Sequence, residues 1–169
     1  GLWHCFECHS RLSETDGRHM LDTLNGIIDA AHRRLKCTDT ILLTFGTAWV
    51  YETTADAAIV ANCHKLPALR FTRRRLSISE CVSHIEAAIR AIRLVAPDAK
   101  ILLTVSPVRH IADGLHGNQL SKSTLLLAVD QVVKSSDHTD YFPSYELLID
   151  DLRDYRFCAA DMMHPSETA

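Results

Sequence analysis

The chain has 169 residues, of which 47% are hydrophobic and 23% charged, and its formal net charge is −3. That balance suits one folded domain with a sizeable core and excludes an intrinsically disordered chain. The negative charge argues against nucleic acid as the main partner, and no apolar run approaches the ~20 residues of a membrane span.

No basic stretch followed by an apolar one opens the chain, so no secretory signal is read; the compartment stays open, with the cytoplasm as the default. Cys5-Phe6-Glu7-Cys8-His9 matches the C-x-x-C-H pattern of c-type haem attachment. No axial partner and no second C-x-x-C or H-x-H cluster completes a haem or zinc site, so no cofactor and no metal is expected. A haem or metal protein built on Cys5 and Cys8 is kept as a third reading. The six cysteines (Cys5, Cys8, Cys37, Cys63, Cys81 and Cys158) lack the spacing of a disulfide framework and read as mostly reduced thiols.

Met20, Leu21, Leu24, Ile27, Ile28, Ala31 and Leu35 recur at three- and four-residue steps, which predicts an amphipathic helix with one stripe against a sheet. The run Ile41-Leu42-Leu43-Thr44-Phe45-Gly46 follows, and it nearly repeats as Ile101-Leu102-Leu103-Thr104-Val105-Ser106. Short continuous apolar runs predict strands buried on both faces of a parallel sheet. Between them, a long insertion from Trp49 to Ser77 offers Trp49-Val50-Tyr51-Glu52 and Ile59-Val60-Ala61-Asn62 as halves of a hairpin. Arg70, Arg73, Arg74 and Arg75 read as a solvated or acid-paired face, with a site for a charged substrate as the alternative.

Ser77 and Glu80 have the spacing of a capping box. Behind them Ile78, Cys81, Val82, Ile85, Ala88, Ile89, Ile92 and Val95 form a second stripe that Pro97 ends. Residues 113–118, with two glycines and His116, read equally well as a mobile lid and a plain turn. A third helix is predicted over 121–134, with Leu125, Leu126, Val129, Val132 and Val133 inward. A short strand near Tyr141-Phe142 and a helical turn over 145–152 complete the chain.

Helix and strand alternate, which predicts an α/β fold: a three-layer α/β/α arrangement around a parallel sheet, with right-handed crossovers. Such sheets bind ligands beyond the carboxyl ends of their strands. The segments to watch are therefore Gly46-Thr47-Ala48-Trp49, Ser106-Pro107-Val108-Arg109 and residues 157–167. In the last, Asp161-Met162-Met163-His164-Pro165 places a carboxylate three positions before a histidine. Histidine can take and return a proton near neutral pH, and the acid can fix its tautomer. A solvated loop is the alternative. In Val60-Ala61-Asn62-Cys63-His64-Lys65-Leu66-Pro67, the Asn62 amide can donate to an oxyanion, and His64 and Lys65 can meet an anion. There the alternative is a hairpin end with polar side chains facing water.

Together these segments resemble the bacterial GSCFA family, named for a Gly-Ser-Cys-Phe-Ala motif. The matching stretches are LLTFGTAWVYE (42–52), VANCHKLP (60–67), the arginine segment 71–77, TVSPVRH (104–110), NQLSKSTLLLA (118–128) and 141–166, which ends in DMMHPS. The resemblance implies a place in the SGNH/GDSL-hydrolase superfamily, with an SGNH/flavodoxin-like sheet over a single domain, 1–169. It implies a serine-dependent acyl hydrolase or acyltransferase acting on a small-molecule or glycan ester. His164 matches its base, Asp161 the orienting acid, and Gly46-Thr47 the Gly-x-Asn block, whose Asn is replaced here by Ala48. Asn62, His64, Lys65 and Arg109 are candidate oxyanion or substrate contacts. The Gly-Ser-Cys motif does not occur in the chain, so the sequence reads as a fragment truncated at both ends, incomplete at the first strand and inactive by itself. A non-catalytic glycan- or protein-binding module on the same fold is the alternative. Substrate, acceptor and oligomeric state are not specified by the sequence.

Overall fold

The computed structural model describes residues 1–169, with an α/β architecture. In chain order the elements are α1 (Gly17–Leu35), β1 (Thr40–Phe45), β2 (Trp49–Thr53), β3 (Ile59–Val60), β4 (Phe71–Arg75) and α2 (Ile78–Arg93). There follow β5 (Lys100–Val105), α3 (Gly114–Ser135), β6 (Thr139–Tyr141) and α4 (Ser144–Glu146), which runs on as a π-helical turn, Leu147–Asp151. They divide into two compact units, one of Gly1–Cys37 with Trp49–Arg75, the other of Thr38–Ala48 with Leu76–Ala169.

In the first unit, Asp16 caps α1 by accepting from the Arg18 N–H at 2.8 Å. Met20 alone of the helix is buried, and Leu21, Ile27 and Ile28 are exposed. The expected stripe against a sheet is therefore not formed: a 3.6-residue period marks a face able to be covered without supplying its cover. The expected hairpin is present, with Tyr51 opposite Val60 and Glu52 opposite Ile59. β4 adds a third, antiparallel strand that the sequence reading missed, setting Trp49 opposite Arg75 and Glu52 opposite Thr72. Its arginines hide the period of a strand, but their partners explain them. Arg74 is paired with Glu52 at 2.8 Å, and the Arg73 guanidinium lies 4.6 Å from the Trp49 ring centroid.

In the second unit, β1, β5 and β6 form a parallel sheet in the order β1-β5-β6, and the near-repeat pairs in register, Ile41 beside Ile101 through Phe45 beside Val105. α2 begins with the expected capping box, Ser77 N–H to Glu80 at 2.8 Å and Glu80 N–H to Ser77 Oγ at 3.3 Å. It buries Cys81, Ile85 and Ile89. α3 starts seven residues earlier than its apolar pattern, at Gly114, so most of the supposed lid is helix. Asn118, Ser121 and Lys122 extend its buried stripe toward the strand tips.

β5 is the core strand, with Ile101, Leu103 and Val105 fully buried at 0% exposure. β1 departs from expectation. It lies at the sheet edge, its residues alternate between exposed and half-buried, and Leu42 is 57% exposed. An apolar run reports the tolerance of a strand for burial, while its neighbours decide the burial. Leu103→Ala should accordingly cost about 3 kcal/mol, and Leu42→Ala under about 1 kcal/mol, read from denaturant midpoints. Equal losses would show that the face bearing Leu42 is covered.

Candidate functional site

Residues 157–166 fold back on themselves. Cys158 bridges Pro165, Ala159 N–H donates to His164 O at 2.8 Å, and Ser166 N–H to Phe157 O at 2.9 Å. At the tip Met162 has a positive φ of 60°, the left-handed geometry of a tight turn. Asp161 closes it: Oδ1 accepts from the N–H groups of Met163 (2.9 Å) and His164 (3.0 Å), and Oδ2 lies 2.6 Å from His164 Nδ1. The His164 N–H, then its ring, then the Met163 N–H hold the Asp161 carboxyl down to about 2. Asp161 is thus ionised at any ordinary pH, and its contribution to stability is lost only as pH falls through that value. A carboxylate can only accept, so Nδ1 carries the ring proton. Nε2 has no hydrogen-bond partner, and the side chain is 56% exposed.

Arg109 Nη1 donates to Met162 O at 2.9 Å, tying this loop to the segment after β5. Between them opens a cavity of about 250 Å³, lined by Pro107, Arg109, Leu148, Leu152, Met163 and His164 among others. His164 and Arg109, two of the residues singled out from sequence, thus line one opening beyond the carboxyl end of β5, and Asp161 holds the His164 ring.

Gly46 and Thr47 lie at the carboxyl end of β1, in a second cluster. Lys122 reaches in from α3 and donates from Nζ to Gly46 O at 2.5 Å and Ser106 O at 2.6 Å, bridging the ends of β1 and β5. It is 1% exposed and has no carboxylate partner, and burial pushes its amine down to about 8. Ser121 Oγ lies 3.1 Å from Thr47 Oγ1 and accepts the Ala48 N–H at 2.7 Å. His110 is held through its N–H by Asn118 at 3.0 Å, and its ring faces Gly46, where an added methyl would sit 3.4 Å from Nε2.

Asn62, His64 and Lys65 belong to the first unit. There the Asn62 side-chain oxygen accepts the His64 N–H at 2.8 Å. The His64 ring meets Cys5 O at 2.7 Å through Nε2, lies 3.4 Å from Ser13 Oγ through Nδ1, and stacks on His4. Lys65 is exposed. The Cys8 thiol is hydrogen-bonded to Cys5, which raises its pKa, and no group of three or more His, Cys, Asp or Glu side chains is placed to hold a metal ion.

A family model, the GSCFA family, matches residues 1–169. The chain belongs to the GSCFA family. No curated protein and no solved structure matches it.

Lys122, Ser121, His110 and Asn118 went unread as site residues in this GSCFA chain, though a signal existed. Extending the stripe of Leu125, Val129 and Val132 backward by helical steps points Lys122, Ser121 and Asn118 inward. A lysine on the buried face of a helix calls for an explanation.

The lowered Lys122 pKa carries a signed prediction. Between pH 8 and 10.5 the unfolded chain binds a proton that the folded chain does not, so this residue makes stability rise with pH across that window. Burial and Glu146 raise the Tyr141 pKa, which acts in the opposite sense above pH 10, so a comparison of variants isolates the lysine. Relative to Lys122→Met, the wild-type chain should gain up to about 3 kcal/mol from pH 7 to 10.5 in denaturant titrations. Parallel pH profiles would show a solvated amine.

Proposed function

We propose that this GSCFA chain carries the base half of a Ser/His acyl hydrolase or acyltransferase of the SGNH type. On this reading residues 1–169 form one three-layer domain, and the nucleophile is the serine of the family's Gly-Ser-Cys motif, which does not occur among them. The observation that carries the proposal is the Asp161–His164 pair, with Nδ1 occupied and Nε2 bare beside a cavity. Such a ring takes the proton of a serine hydroxyl as Oγ bonds to the ester carbonyl carbon. It returns that proton to the leaving alkoxide as the C–O bond breaks, forming an acyl-enzyme. Water or another alcohol repeats the cycle and frees the serine. Asp161 keeps its charge throughout and stabilises the imidazolium. Gly46 and Thr47 are the candidates for stabilising the oxyanion, and Arg109 for contacting substrate.

One observation favours the second reading, a non-catalytic glycan- or protein-binding module. At the position of the superfamily's block Asn stands Ala48, which is buried and whose N–H is taken by Ser121, so this position has no donor left for an oxyanion. The two readings part in the protein bearing the Gly-Ser-Cys motif. The hydrolase should be labelled by a serine-directed phosphonate and cleave a short-chain aryl ester, with His164→Ala slower by about 10³-fold or more. Equal rates in wild type and variant would remove His164 from the mechanism; no labelling, with glycan or protein binding retained, would favour the module.

A further inference from the structure

The cavity beside His164 has a chemical character that acyl transfer alone does not require. One part of its wall is apolar, formed by Leu148, Ile149, Leu152 and Met163. The rest of the lining includes two arginines, Arg109 and Arg153. Arg109 uses Nη1 on Met162 O, which leaves the Nε and Nη2 edge, the planar fork that grips an oxyanion, without a partner. Arg153 makes no hydrogen bond or ion pair, although Asp150, Asp151 and Asp154 are its neighbours in sequence. Asp154, an acid on the same wall, is engaged elsewhere: it accepts the Arg156 N–H at 3.1 Å and lies 3.8 Å from Arg156 Nε. Asp161 is committed to its own loop. The opening therefore carries two arginines and one acid, Asp154, whose partner is Arg156 and neither of the two arginines.

We propose that this cavity binds a substrate bearing an oxyanion, a carboxylate or a phosphate, on a short apolar arm, with Arg109 and Arg153 as receptors of the charge. The proposal rests on the reading of His164 as the base, since it places the charged group on the molecule that is cleaved. A volume of about 250 Å³ holds roughly eight water-sized groups, which sets the arm at a few carbons. Arg153 is thereby a specificity residue, and it carried no signal in the sequence.

The test is binding to the full-length protein, followed by calorimetry and by the ¹⁵N shifts of the His164 ring. Three probes are compared: pentanoate, the isosteric neutral pentanamide, and inorganic phosphate. Pentanoate is expected to shift the ring resonances and to bind at least about tenfold more tightly than pentanamide. Arg153→Gln should weaken pentanoate about tenfold and leave pentanamide unchanged, with Arg153→Lys intermediate, because lysine keeps the charge and loses the fork. Competition by phosphate identifies a phosphate-reading site; pentanoate binding without such competition identifies a carboxylate-reading one. Equal affinities for pentanoate and pentanamide overturn the proposal, as does an Arg153→Gln protein with wild-type melting behaviour and wild-type affinity. Charge-selective binding in a protein that no serine phosphonate labels would sink the hydrolase reading and leave the oxyanion site standing. Labelling without charge selectivity would do the reverse.

Discussion

The carboxylate of Asp161 gathers three hydrogen bonds from the two residues that follow Met162, and the chemistry available to the C-terminal loop depends on that gathering. Without it, two backbone N–H groups at a turn with positive φ would lose their acceptor, and the His164 ring would be free to rotate and to exchange tautomers. With it, the turn closes, the near ring nitrogen is occupied and the far one is left bare. The same three donors depress the carboxyl pKa, so the interaction is already in its strong, charged form at neutral pH. The geometry is local, spanning four residues, and Arg109 anchors it to the sheet through Met162 O.

Lys122 embodies a different constraint. Asp161 is an exposed charge stabilised by donors; Lys122 is a buried one with two carbonyl acceptors and no counter-charge. Burying a charge is costly unless polar groups replace its water, and here Gly46 O and Ser106 O do so at the ends of neighbouring strands. The lysine thus bridges two strand tips, and its burial there lowers its pKa. Ser121 and Asn118, one and four residues before it on α3, hold the Ala48 and His110 N–H groups in the same region. The start of α3 serves the strand ends more than the apolar core.

Much of this was legible in the residues. The near-repeat at 41–46 and 101–106 marks two strands, which pair in parallel and in register. The Ser77–Glu80 box is a local signal and needs no tertiary context. The spacing of Asp161 and His164 was visible too, since the pair is closed by short-range hydrogen bonds. What failed depended on distant partners. An apolar strand does not announce whether it sits in mid-sheet or at an edge, so Leu42 was misjudged. The arginines of β4 read as a solvated or acid-paired face, and Arg74 does pair with Glu52, but their run hides a strand until β2 is placed beside it. The first turns of α3 contain Gly114, Gly117 and inward polar residues, which weaken helix propensity and obscure the amphipathic pattern. Arg153, a single exposed cation, has no pattern at all.

The tautomer set by the carboxylate can be measured directly in the ¹⁵N chemical shifts of the neutral His164 ring. Nδ1 should resonate as a protonated, pyrrole-type nitrogen and Nε2 as a bare, pyridine-type one, with that preference lost in Asp161→Ala. A neutral ring protonated on Nε2, or a tautomer balance unaffected by Asp161→Ala, would contradict that assignment.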